Sequence, residues 1–395
     1  MSSPLFQIKT GVEKLRLTNF RCYETLSLTF DDDLSPVILT GNNGAGKTNI
    51  LEAVSFLTAG RGLRGARLSD IARRVPITDF CETSSVLQLP TNWSVSADVR
   101  TLCGTVHVGT GRDETSERRQ IRIDGQPVKT QSELAEVMSA IWLTPAMDRL
   151  FCGDPSSRRR FLDRLVQAFN PLHANLLIDY SYTLKQWNNL LKEGRYNDAW
   201  LSSLEETIAQ NGVAIAAGRR DIVARLAGFL SDDADDLFPS AVMILKGCLE
   251  GWLADMPAVD VEERFKELLR QKRKICADGG NVEGAHTSDF SVIHRQKGVD
   301  AELCSTGEQK ALLISIILAQ TKAQMQEKGQ CPVLLLDELG AHLDIKRFNA
   351  LLDRLIALPS QIWLTGTDVS IFERLYGKAQ FFNISDAKLN LMEVA

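Results

Sequence analysis

Apolar and polar positions alternate along "VEKLRLTNFRCYETLSLTF", with Leu15, Leu17, Leu26, Leu28 and Phe30 carrying the apolar beat. That period of two predicts two strands of a hairpin or meander around a polar "TNFRCYE" turn. "PVILTGNNGAGKTNILEAVSFLTAG" predicts a short buried strand at Val37 to Thr40, a glycine loop, and a helix from about Lys47 to Leu57. From Ser85 to Val128 the pattern is again that of short strands, with Asp124-Gly125 at one bend.

The period then changes. Asp154 reads as an N-cap with Pro155 in the first helical position. Phe161, Leu162, Leu165, Val166 and Phe169 follow at helical spacing. Helix continues through Tyr180, Leu184, Trp187 and Leu191, and from Asp198 to about Leu230. "VEERFKELLRQKRKICADGG" closes this block on Gly279-Gly280. Pro171, Gly194, Gly212, Pro239 and Pro257 interrupt it, so no long coiled coil is expected. "DFSVIHRQ" returns to strand, and "CPVLLLDELG" and "SQIWLTGTD" read as buried parallel strands flanking a helix at "IKRFNALLDRLIAL". The division expected is an α/β lobe at 1–138 and 288–395 with a helical lobe at 139–287.

Composition narrows this only a little. Hydrophobic residues make up 44% and charged residues 24%, an ordinary globular balance. No apolar run has membrane-span length, and "MSSPLFQIKTGVEKL" lacks a signal-peptide core. The eight cysteines are scattered without a C-x-x-C pair, which reads as reduced thiols of a cytosolic protein. A formal charge of −5 does not favour a chain coated in nucleic acid, but it permits one basic face.

Gly41-Asn42-Asn43-Gly44-Ala45-Gly46-Lys47-Thr48 matches G-x-x-x-x-G-K-[ST] in full, after an apolar strand and before a helix, and these residues with Asn49 are expected to bind a nucleotide. Glycines let successive N–H groups wrap a phosphate chain, and the helix start adds its dipole. Lys47 is expected to reach the β- and γ-phosphates of ATP, and Thr48 to ligate Mg²⁺. A P-loop needs a carboxylate for the metal. Asp337 ends the apolar run Val333 to Leu336, and Glu338 beside it fits a general base for water.

Ser305-Thr306-Gly307-Glu308-Gln309 resembles the signature of ABC-type ATPases, and Leu343-Asp344 resembles their D-loop. "LRLTNFRCYETLSLTF", "TPAMDRLFCGDPSSRRRFLDRLV" and "CSTGEQKALLISIILAQ" together resemble the RecF family, bacterial recombination-repair ATPases related to SMC proteins. The resemblance implies an ABC-type P-loop ATPase head, with a mixed sheet, an antiparallel β subdomain and an inserted mainly helical lobe. It implies that Ser305, Thr306, Gly307 and Gln309 cap the γ-phosphate of ATP held by a second copy, in an ATP-dependent homodimer. Slow, DNA-stimulated hydrolysis would serve as a switch. Binding to duplex DNA near gaps or single-strand/double-strand junctions, partnership with RecR and RecO, and roles in replication, recombination, repair and the SOS response are further implications. So is a cytoplasmic, nucleoid-associated location.

The chain departs from the family at several points. "AMDRL" after Thr144-Pro145 stands where acidic residues are more usual, and "GAHTSDF" matches only part of the usual wording. No histidine follows the last strand, where Thr365, Thr367 and Asp368 are the alternatives. Of the basic residues, Arg61 or Arg64 is implied to face DNA. Arg158, Arg159 and Arg160 open a helix, where positive charge opposes the dipole and fits either an acidic or phosphate partner or internal ion pairs. A transporter's nucleotide-binding subunit and a long-armed SMC-type structural ATPase are the rival readings. The long interval from Thr48 to Ser305 disfavours the first, and the broken helical block disfavours the second.

Overall fold

Alternation along the first strands becomes an antiparallel sheet. Gly11–Phe20 pairs with Tyr23–Thr29 on one side and with Trp93–Thr101 on the other. Gly104–Arg112, Gln120–Ile123 and Gln126–Pro127 extend it. Leu15 and Leu17 are buried while their neighbours are not, as one-sided packing requires. The turn is tighter than the polar stretch predicts. Strand character runs through Phe20 and resumes at Tyr23, with Arg21 in a left-handed conformation (φ 55°).

The continuous apolar runs form a different sheet. Gln380–Ser385, Val37–Thr40, Ile362–Gly366, Val333–Leu336 and Ala140–Leu143 lie side by side in parallel, with Lys388–Met392 antiparallel at one edge. Val37–Thr40, Ile362–Gly366 and Val333–Leu336 are buried at every position. Ile362–Gly366 therefore separates the strand before the glycine loop from the strand before Asp337, and all three end at one edge of the sheet. The helix after the glycine loop spans Lys47–Ser55. Both sheets share one hydrophobic cluster that includes Leu15, Val37, Val54, Trp93 and Trp363.

This computed structural model describes residues 9–73, 92–113, 118–194, 197–232 and 237–394. The N-terminal stretch before Lys9, Cys81 and the start of the strand run at Ser85 lie outside the described residues. The seven described cysteines are free thiols. Among the described residues no helix is long and apolar enough to cross a membrane.

Two compact units divide the chain, Met1–Met147 with Gln324–Ala395, and Asp148–Ala323. The second is mainly helical, with helices Pro155–Gln167, His173–Glu193, Asp198–Asp232, Cys248–Asp255 and Ala258–Ala277. It also contains a three-stranded sheet, Ala241–Lys246, Asp289–His294 and Val299–Asp300. These breaks differ from the boundaries read off the sequence. Ala140–Leu143 hydrogen-bonds to Val333–Leu336 and so sits with the parallel sheet, whereas Asp289–His294 pairs with Ala241–Lys246 in the helical unit. Pairing partners this far apart in the chain leave no mark on local periodicity. The helix Thr306–Lys328 begins in the helical unit, and the break falls within its last turns.

Candidate nucleotide site

The glycine loop is built by close approach. At Gly41 (φ 142°) a Cβ would come within 2.3 Å of the Ile384 carbonyl oxygen. At Gly46 (φ 113°) it would meet the Tyr23 hydroxyl at 2.5 Å and Cys22 Sγ at 2.8 Å. Only glycine accepts both the left-handed backbone and the crowding. Gly46 is the N-cap of Lys47–Ser55, with no side-chain cap and no acid in the first turn. The helix start thus keeps its N–H groups and its positive dipole end uncommitted to side chains. Tyr23 Oη donates to the Gly46 carbonyl at 3.1 Å and steadies the loop from behind.

Lys47 is buried, and its Nζ donates to the carbonyls of Gly41 and Asn42 at 2.5 and 2.9 Å. Burial lowers its pKa, while the charges of Glu338 and Asp337 oppose that shift. Thr48 Oγ1 donates to Asp337, 3.0 Å from each carboxylate oxygen. Thr365 Oγ1 donates to Asp337 Oδ1 at 2.8 Å and accepts the Glu338 N–H at 2.8 Å. Asp337 is 5% exposed and Thr365 fully buried. Glu338, half-buried, has φ 47°. A non-glycine residue in that region stores about 1–3 kcal/mol of strain, which clusters at functional sites. Of the three alternatives, Thr365, inside the strand Ile362–Gly366, is the one joined to the acid pair. Thr367 and Asp368 are exposed, and Asp368 caps the N–H of Ser370.

Asn49 uses both ends of its amide. Nδ2 donates to Cys22 Sγ at 3.1 Å, and Oδ1 accepts from Arg64 Nη1 at 3.0 Å. Arg64 also reaches Glu52, a fully buried acid that Arg21 holds with two hydrogen bonds of 2.9 and 2.6 Å. Arg61 is exposed and makes no side-chain hydrogen bond or ion pair among the described residues. Arg119 has a distinct task. Its half-buried side chain donates to the carbonyls of Phe56, Thr58 and Gly60, closing the C-terminal end of the glycine-loop helix.

In the helical unit, Ser305 precedes the helix Thr306–Lys328 and is exposed with Thr306. Glu308 Oε2 accepts both the Ser305 N–H (3.0 Å) and the Ser305 hydroxyl (2.9 Å), the acid half of a capping box. Gly307 is half-buried. Gln309 is turned inward. It is 5% exposed, and its Nε2 donates to the Cys304 carbonyl at 3.0 Å and to Cys152 Sγ at 3.2 Å. Its side chain is therefore a strut for the loop before the helix. The next residue, Lys310, is buried and pairs with Asp148 of "AMDRL" at 3.4 Å. Leu343 is half-buried, and Asp344 is the N-cap of Ile345–Ile356, accepting from the Arg347 N–H at 2.9 Å.

The arginine triplet is mostly internal. Arg158 makes a bidentate pair with Asp289, 2.8 Å at both contacts, and also donates to the carbonyls of Phe151 and Gly153. Arg159 donates to the Ser288 carbonyl at 2.8 Å. Arg160 is exposed and bonds Ser157 Oγ. The helix-opening cost of Arg158 is offset by an acid 131 positions away, a partner that sequence spacing does not reveal. Behind it lies a cluster with no sequence signal. Buried Arg219 forks onto both oxygens of Asp163 at 2.8 and 2.9 Å and donates to Ala285 O and Ser288 Oγ. His173 touches the same Asp163 at 3.0 Å.

Residues 11–384 match the family model described as RecF/RecN/SMC N terminal domain. The DNA replication and repair protein RecF of Rhizobium rhizogenes is 42% identical over 381 residues, 95% of this chain and 97% of that protein. That of Mesorhizobium japonicum is 42% identical over 393 residues, 98% and 99% of the two chains. A structure of the recombination mediator protein RecF–ATP in the RecFOR pathway matches with TM-score 0.82 at 22% identity, covering 99% of this chain and all of that one. An Smc head bound to the C-winged helix domain of ScpA matches with TM-score 0.55 at 15% identity over 96% of each chain. The fold is thus an ABC-type ATPase head with an inserted, mainly helical lobe. Near-full-length identity and the match over residues 11–384 make this chain a member of the RecF family.

Proposed function

We propose that the chain is an ATP-binding, DNA-binding protein of replication and recombinational repair. One observation carries the nucleotide part. The Thr48 hydroxyl and the Asp337 carboxylate, on separate elements, meet at 3.0 Å beside a lysine and an uncapped helix start. A hydroxyl and a carboxylate are the hard oxygen donors that Mg²⁺ takes, so the residues fit the ion. Mg²⁺ held by Thr48 and Asp337 would neutralise charge on the phosphates. Gly41, Asn42, Asn43, Gly44, Ala45, Gly46 and Lys47 would bind the phosphate chain, Lys47 exchanging its loop carbonyls for phosphate oxygens. Asn49 would steady the first helical turn. Glu338 would accept a proton from the attacking water.

Ser305, Thr306 and Gly307 would cap the γ-phosphate of ATP on a second copy, giving an ATP-dependent homodimer, with Leu343 and Asp344 as the D-loop. The lobe boundaries that serve this role are those of the two units. Slow hydrolysis would release the dimer. Arg61, with Arg64 behind it, is the favoured contact to duplex DNA, and Arg160 a secondary one. Gap or junction preference, RecR and RecO as partners, and a cytoplasmic, nucleoid-associated location complete the reading. The names of its relatives support it.

Sedimentation with and without ATP tests the assembly. Wild type should dimerise with ATP, whereas Lys47→Arg and Ser305→Arg should stay monomeric. A Ser305→Arg chain that dimerises like wild type would overturn capping in trans. Duplex affinity that stays flat between low and moderate salt would overturn the DNA assignment.

A further inference from the structure

The two helix starts assigned to ATP differ in one respect. Lys47–Ser55 has no acid in its first turn, but Thr306–Lys328 carries Glu308 there. That carboxylate lies 2.9 Å from the hydroxyl proposed to receive a phosphate. Its oxygens are divided. Oε2 takes both hydrogens of Ser305, and Oε1 takes Lys297 Nζ. Lys297 stands in the tight connection between Asp289–His294 and Val299–Asp300. Its own N–H and that of Gly298 (φ 65°) both donate to the His294 carbonyl. A short connection presents the ammonium to the helix start.

We infer that Lys297 is a positioning residue for the signature, cancelling the Glu308 charge and holding that carboxylate when Ser305 turns to phosphate. The inference rests on the trans-capping reading above. An uncompensated carboxylate so close would repel the γ-phosphate and compete for the Ser305 hydroxyl. With Lys297 in place the first turn is neutral, and the helix dipole acts on the anion unopposed. When the hydroxyl moves to a phosphate oxygen, Glu308 keeps Lys297 and the Ser305 N–H, so the carboxylate does not swing into the site. The Lys297 and Ser305 contacts draw the Glu308 carboxyl down to about 2, which keeps it ionised throughout the neutral range.

The test is the dimer dissociation constant of the full chain in saturating ATP, by sedimentation equilibrium. Lys297→Glu should weaken the dimer by about tenfold or more, as expected for two like charges beside an anion. Glu308→Gln, which retains acceptors for Ser305, should dimerise at least as tightly as wild type. Lys297→Glu combined with Glu308→Gln should recover to within about threefold of Glu308→Gln alone, since a coupled pair is non-additive. ATP affinity of the monomer should not move in any of the three, which separates charge compensation at the dimer from damage to the chain's own glycine loop. Lys297→Glu dimerising like wild type, or a loss that persists in the double variant, would overturn the assignment. Ser305→Arg distinguishes the two levels. If it still dimerises, trans capping fails and this inference with it. If it blocks the dimer while Lys297→Glu does not, only the role of Lys297 fails.

Discussion

The glycine loop and the Ser305 helix start each offer hydrogen-bond donors at the head of a helix, but they hold them differently. At the glycine loop the key groups are buried. Asp337 is clasped by Thr48 and Thr365, Lys47 rests on loop carbonyls, and Tyr23 backs Gly46. Around Ser305 the groups are exposed, and their hydrogens go to one carboxylate that a surface lysine neutralises. Burial strengthens and orders polar contacts, whereas exposed contacts exchange at low cost. The groups at the glycine loop are preorganised, and those at Ser305 are suited to trading partners.

Loss of the Glu338 carboxylate is the most severe change on the buried side. Glu338→Gln should lower hydrolysis by about 10²–10⁴-fold, the usual contribution of a positioned base, while leaving ATP binding in place. Single-turnover measurement of phosphate release checks this, and a persistent ATP-bound dimer is expected alongside. The next largest effect lies in the helical unit. Arg219→Ala leaves buried Asp163 without its guanidinium, which should destabilise the helical unit by about 3–5 kcal/mol. Denaturant titration should show that loss, with ATP affinity in the other unit far less affected.

Thr365→Val sharpens the contrast on the buried side. It removes the one hydroxyl that ties Asp337 to the Glu338 backbone, at a cost of about 1–3 kcal/mol for the unpaired groups. Mg²⁺-dependent nucleotide affinity should fall about tenfold, read by titration with a fluorescent ATP analogue. The helical unit also carries a pH dependence. Burial, aided by the charge of Arg159, pushes His286 down to about 4 from its ordinary 6.5, and Tyr180 Oη lies 2.8 Å from its Nδ1. Its folded pKa is the lower one, so this contribution to stability is complete above pH 6.5 and is lost as pH falls toward 4. His286→Gln should flatten the melting temperature across that window.

Much of the candidate nucleotide site was legible because its grammar is local. The glycine spacing, Lys47 and Thr48 are contiguous, and Asp337-Glu338 end a short apolar run that reads as a buried strand. The helix start at Asp154 was legible for the same reason, since its cap is the Ser157 N–H three residues on. Thr365 was one of three alternatives until the strand order put it beside Asp337. Gln309 looked like a signature contact, but its side chain points into its own unit. Arg158 fitted either a phosphate contact or an internal ion pair, and its guanidinium is held by Asp289. In each case the deciding neighbour is distant in the chain.

The amino-acid sequence alone specified the fold class, the glycine loop, the acid pair and the family, because short-range backbone conformation and contiguous chemistry encode them. Tertiary structure alone decided which hydroxyl completes the Asp337 set, which arginines are free and which are spent on Asp289, Asp163 and Glu52. It also decided that Lys297 faces Glu308. Those outcomes depend on strand order and on packing between remote segments, where one acid within 3–4 Å settles what a basic residue does.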